Sequence, residues 1–172
     1  MRTEVDTRAN AGALAAGTIA AIAAVTLAGA WFFQYVLDIQ PCPMCLEQRY
    51  AYYLVIVLGA VLALAASRLP RALVIGALAI IALAAFANAV YGAFHAGVEW
   101  GFWPGPATCS GPVPNFGSAG NLLQQLDTVR VVRCDDVQWR FLGISLAGYN
   151  FLISGLMGLV ALFGINKLRA AG

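Results

Sequence analysis

The chain has 172 residues, of which 61% are hydrophobic and 10% charged, and a net charge of +2. That composition is far too apolar for a soluble domain. The sparse basic residues form no single face, so nucleic-acid binding has no support. No Asp, Glu, Lys, Arg or His lies between Arg8 and Asp38, Arg49 and Arg68, Arg71 and His95, or Arg140 and Lys167. Each gap can cross a hydrocarbon core of roughly 30 Å as a helix of about 20 residues. The expected fold is an all-α membrane protein, a four-transmembrane-helix bundle forming one integral membrane domain over residues 1–172, with a short and a long outer loop.

In chain order, a tail over 1–10 carries Arg2 and Arg8, and the first span runs over about 11–37. This span is longer than the 7–15-residue core of a signal peptide, so it reads as a retained helix. It ends in an aromatic cluster of Trp31, Phe32, Phe33 and Tyr35. A loop over 38–47 contains Pro41-Cys42-Pro43-Met44-Cys45, and the second span follows over about 48–66. The turn Ser67–Arg71 leads into a third span over about 72–94.

The long loop, about 95–140, opens with turn-rich stretches, Trp103-Pro104-Gly105-Pro106 and Gly111-Pro112-Val113-Pro114. Further on, Asn121 and Gln124 have the spacing of a capping box. Leu122, Leu123, Leu126 and Val129 would form the apolar stripe of a short amphipathic helix lying on the membrane surface. The fourth span covers about 141–165.

Basic residues orient this arrangement. Arg2, Arg8, Arg68, Arg71, Lys167 and Arg169 fall on one side, which makes that side, with both termini, cytoplasmic. Arg49, Arg130, Arg133 and Arg140 run against the bias, but long loops cross with weak regard to charge. Trp31, Trp100, Trp103 and Trp139 all fall near the outer ends of spans. They fit first an interfacial aromatic belt, and some of them would also line a site for a flat apolar ligand.

All four cysteines lie on the outer side: Cys42 and Cys45 in the short loop, Cys109 and Cys134 in the long one. A helix starting near Cys45 would bring Arg49 one turn along the same face. A helix N-terminus and a nearby cation both stabilise a thiolate. Three readings compete: two structural disulfides, a four-cysteine zinc site, and a thiol–disulfide relay. The second pair lacks metal-knuckle spacing, so no metal is expected. Structural staples leave the Arg49 spacing without a purpose.

The pattern Pro41-Cys42-x-x-Cys45-x-x-x-Arg49 at the start of the second span resembles the DsbB family, the bacterial disulfide bond formation protein B. The four-helix layout, the spacing from Cys109 to Cys134 and the stretch from Phe94 to Cys109 are similar too. Glu47 stands two residues before Arg49 instead of next to it, so no role is implied for it.

The resemblance implies an enzyme of the bacterial inner membrane that forms disulfides, a protein-dithiol:quinone oxidoreductase. Its implied disulfides are Cys42–Cys45 and Cys109–Cys134, and these four cysteines are its catalytic residues. A soluble periplasmic thioredoxin-fold oxidase (DsbA-like) would reduce the pair at Cys109. Cys134 would exchange with Cys42, and Cys45 would pass electrons to a membrane quinone, ubiquinone or menaquinone. Cys45, Arg49 and His95 are the expected quinone-binding residues. Two alternatives stand beside this reading. One is a non-catalytic membrane scaffold stapled by two disulfides. The other is an oxidoreductase of the vitamin K epoxide reductase type, whose dithiol would be expected near the end of the fourth span.

Overall fold

The structure, a computed structural model, describes residues 2–110 and 132–170. Its helices are α1 Arg2–Tyr35, α2 Pro43–Ala65, α3 Arg71–Glu99 and α4 Leu146–Ala170. All four are long and apolar enough to cross a membrane, which makes this a multi-pass membrane protein. They pack as a four-helix bundle in which α1 and α3 each contact both α2 and α4.

The side-chain pattern is that of a bundle in lipid. Large apolar residues such as Leu14, Val57, Leu64, Leu83 and Leu159 face outward, where hydrocarbon is the solvent. The interior mixes small residues, Ala16, Ala23, Ala85 and Ala161, with Ile19, Val55, Leu78, Ile81 and Met157. Lipid tails are as apolar as leucine, so close packing has to hold the helices together, and small residues permit it. At Gly59 a Cβ would come within 2.9 Å of the Ala16 carbonyl oxygen on α1.

The ends of the helices depart from the sequence expectation, each for a local reason. α2 begins at Pro43, inside the stretch expected as loop, so the second cysteine pair member lies in the helix. Proline suits a first helical turn because its φ is preset and its missing N–H needs no partner. Cys42 is the N-cap, and its sulfur accepts the Cys45 N–H at 3.2 Å. α3 continues past residue 94 to Glu99, which places His95 within a helix instead of a loop. It stops where Gly101 adopts φ 73°, with Phe102 N–H donating to Gly97 O and Gly101 N–H to Val98 O. This paired closure is the Schellman motif.

α4 begins at Leu146, later than the expected 141, because residues 140–145 fold back on themselves. β1 (Arg140–Phe141) pairs antiparallel with β2 (Ile144–Ser145). The intervening Leu142 and Gly143 both have positive φ, 49° and 80°, as a two-residue hairpin turn requires. Ser145 Oγ then accepts the Gly148 N–H at the start of α4. α1 is helical from Arg2, through the segment expected as a tail. The surface helix expected over 121–129 lies outside the described residues.

Candidate functional site

The dithiol occupies the first turn of α2. Cys42 Sγ donates to Cys45 Sγ at 2.7 Å, and both cysteines are free thiols, where a Cys42–Cys45 disulfide was expected. The helix start also differs from expectation in its target. The amide at the N-terminus points at Cys42, the capping residue, while Cys45 supplies that amide. The Cys42 thiol is pushed well above the ordinary thiol range, first by the hydrogen bond it gives to Cys45 and then by burial. The proton of the pair therefore stays on Cys42.

His95 projects from α3 onto the same sulfur. It is 2% exposed, so it is not the solvated interfacial anchor that a lone histidine at a helix end suggests. Its Nε2 lies 3.6 Å from Cys42 Sγ, and its Nδ1 is 3.0 Å from the side-chain amide of Gln48. With the amide nitrogen of Gln48 donating to Nδ1, Nε2 carries the hydrogen and faces the sulfur. The ring also reaches the backbone of Cys134.

Arg49 is one turn beyond Cys45, as its spacing predicts. Its guanidinium donates to Gln34 Oε1 of α1 at 2.6 Å.

Cys109 and Cys134 are joined by a disulfide with S–S 2.03 Å. The short 3₁₀ turn Ala107–Ser110 carries Cys109. Both residues are buried in one cluster with Cys42, Met44 and Val98, and Cys45 packs against it. The two cysteine pairs are thus brought together at one end of the bundle.

Beside the dithiol is a cavity of about 390 Å³, whose walls include Cys42, Cys45, Arg49, His95 and Glu99. Phe33 and Trp139 form part of its apolar wall, with ring centroids 4.9 Å apart. Of the four tryptophans, Trp139 lines this cavity, while Trp100 and Trp103 stand exposed around the end of α3. Sequence reasoning missed Gln34, Gln48 and Glu99. Gln48 had a usable signal, since it lies three residues after Cys45 on the same helical face. Glu99 accepts a hydrogen bond from Ser145, which ties α3 to the hairpin. Glu47, to which no role was assigned, accepts from the Tyr91 hydroxyl.

The arrangement sets a disulfide beside a dithiol that lines an apolar cavity together with an imidazole and a guanidinium, which is equipment for thiol–disulfide exchange. The family model described as disulfide bond formation protein DsbB matches residues 12–164. The chain is 31% identical over 144 residues to disulfide bond formation protein B of Polaromonas sp. (strain JS666 / ATCC BAA-500), covering 83% of each chain. It is 30% identical to the protein of that name from Polaromonas naphthalenivorans (strain CJ2), over 83% of this chain and 84% of the relative. The protein of the same name from Shewanella sp. (strain ANA-3) is 29% identical, over 81% and 83% respectively. No solved structure matches the chain at comparable significance. With a family match across nearly its whole length, the chain belongs to the DsbB family and is a disulfide-generating membrane oxidoreductase.

Proposed function

We propose that the protein reoxidises a soluble periplasmic thioredoxin-fold oxidase and delivers the electrons to a membrane quinone through its two cysteine pairs. The observation that carries this reading is the convergence of both cysteine pairs in one buried cluster, with Cys42 and Cys45 also lining an apolar cavity.

The exchange balances as follows. A partner thiolate bonds to Cys109 Sγ and breaks the Cys109–Cys134 bond, releasing Cys134 as a thiolate. Cys134 attacks Cys42 Sγ, and the Cys42–Cys45 bond breaks with its electron pair on Cys45. The partner's second thiol resolves the mixed disulfide, freeing Cys109 to close back on Cys134 and expel Cys42. Two electrons have then moved from the partner to the dithiol. The Cys45 amide aimed at Cys42 favours charge on the departing sulfur, and the hydrogen on His95 Nε2 lies beside it. Once protonated, Cys42 holds its proton strongly, which suppresses the return attack because only thiolates exchange.

The residues around the cavity fit a quinone. Phe33 and Trp139 offer aromatic walls to a flat ring, and Arg49 and His95 are the polar groups that would hold its oxygens. A bound quinone supplies the two-electron acceptor that a dithiol alone lacks. Arg71 donates to the Arg169 carbonyl, so two basic residues share the end opposite the dithiol, which supports an orientation with both termini cytoplasmic. The test is quinone reduction by purified protein with a reduced thioredoxin-fold oxidase as donor. Turnover that requires both cysteine pairs supports the proposal. A folded protein that leaves the quinone oxidised overturns it.

A further inference from the structure

We propose that the reduced dithiol and His95 together form a binding site for a soft d¹⁰ cation, with Cu(I) preferred, which locks the pair in its reduced state. The sulfur atoms of Cys42 and Cys45 and a ring nitrogen of His95 lie within 4.8 Å of one another. Two thiolates and an imidazole are the donor set that thiophilic metals select.

The spacing is close to what coordination needs. Metal–sulfur bonds of about 2.3 Å and metal–nitrogen bonds of about 2.0 Å put sulfur and nitrogen roughly 3.6–3.8 Å apart. The Cys42 Sγ to His95 Nε2 separation is 3.6 Å. The sulfurs, at 2.7 Å, must open to about 4.0 Å for a trigonal ion. Cys45 has room to do this because it is partly exposed and lines the cavity, which also gives the ion a way in.

Gln48 completes the site. Turning its side-chain amide over makes its oxygen the acceptor for an Nδ1–H, which leaves Nε2 free to bind metal. A metal-bound histidine whose other nitrogen donates to a fixed oxygen is the usual supporting arrangement.

Three protein donors without a built fourth suit a trigonal monovalent ion better than zinc, which favours four ligands. Two thiolates with Cu(I) also leave one negative charge, facing Arg49 across the cavity wall. Coordination involves no change of oxidation state: the thiols bind as thiolates, and their protons pass to solvent. A dithiol held in this way cannot re-form its disulfide until the metal is withdrawn.

The test uses anaerobic, quinone-free, full-length protein in detergent, with Cys109→Ser and Cys134→Ser introduced so that only the dithiol remains. Cu(I) is supplied from a bathocuproine disulfonate complex, and binding is read from chelator absorbance and near-ultraviolet thiolate-to-metal bands. One Cu(I) per chain is expected, with affinity reduced by at least about tenfold in His95→Ala and abolished in Cys45→Ser. Where His95→Ala does not fold, Gln48→Met replaces it, with an expected loss of about tenfold. Absence of stoichiometric binding, or binding indifferent to both His95 and Gln48, overturns the site. Zn(II) displacing Cu(I) overturns the choice of ion. Because neither quinone nor partner is present, a negative result leaves the electron relay untouched, and failure of the relay leaves the metal site standing.

Discussion

At the end of the bundle that carries Arg71 and Arg169, the helices meet through small apolar groups. A Cβ on Gly59 would come within 3.0 Å of Ala20 Cβ, and one on Gly164 would be 2.8 Å from Ala15 Cβ. At the dithiol end, the same four helices meet around polar side chains and a cavity. A buried knot separates the two regions. Tyr52 donates to Asn150 Oδ1 at 2.6 Å, and Asn88 donates to both Asn150 Oδ1 and Ser154 Oγ at 3.1 and 3.0 Å. Close packing of small residues gives one end its cohesion. The other end gives up packing density for a chamber in which thiols, an imidazole and a guanidinium keep defined partners. Stability and chemistry are therefore separable along the bundle axis, and substitutions at either end test this.

The largest effect is expected from Cys45→Ser, which should reduce turnover to background while the helical content and unfolding midpoint stay near those of the parent. Circular dichroism in detergent alongside the quinone assay checks it; a matching collapse of the fold would erase the separation. Gly59→Val is the mirror experiment at the packed end. Its side chain would press on the Ala16 carbonyl and on Ala20, costing about 1–3 kcal/mol of stability. Turnover per folded molecule should not change, and equilibrium unfolding combined with active-site titration measures both.

Arg49→Lys probes the chemical end more gently. A lysine ammonium keeps the charge and loses the planar fork. The KM for quinone should rise roughly tenfold, equivalent to about 1.4 kcal/mol, with insertion unaffected. An unchanged KM would reduce Arg49 to an anchor for Gln34. Asn88→Ala cuts two hydrogen bonds of the dividing knot and should cost about 0.6–1.7 kcal/mol, the range of such bonds between membrane helices.

The smallest perturbation is chemical labelling of the reduced protein. A thiol whose pKa lies above the usual 9.0 is protonated at pH 8, and the thiolate is the reactive form. Cys42 should therefore alkylate more slowly than Cys45 and gain reactivity only as the pH climbs beyond 9. Mass spectrometry of the labelled peptides reads the ratio.

Much of this architecture was legible in the chain because charge is expensive inside a membrane. The gaps between Arg8, Asp38, Arg49, Arg68, Arg71, His95, Arg140 and Lys167 had to be spans. Helix ends were less legible, since local hydrogen bonding decides them. Nothing in hydropathy says that a cysteine sulfur will cap α2, or that Leu142 will accept a positive φ beside Gly143. The cysteines and Arg49 stood out as a spaced motif. Gln34, Gln48 and Glu99 did not, because each gains meaning only from a partner on another element: Arg49, His95 and Ser145 respectively. For His95 the sequence offered a residue without an environment. Its burial comes from α3 running one further turn than the hydropathy suggested.

The capped first turn of α2 bears on how quietly the protein can work. Its backbone is held by Pro43, by the Cys42 cap and by the continuing helix, with the two sulfurs already 2.7 Å apart. A covalent sulfur–sulfur bond is about 2.05 Å long. The ring can therefore close within the first turn of α2, without recruiting a cysteine from another helix. The cysteines that exchange thus sit at a helix start instead of in the middle of a span, so the long lipid-facing parts of the four helices carry none of the exchanging sulfurs.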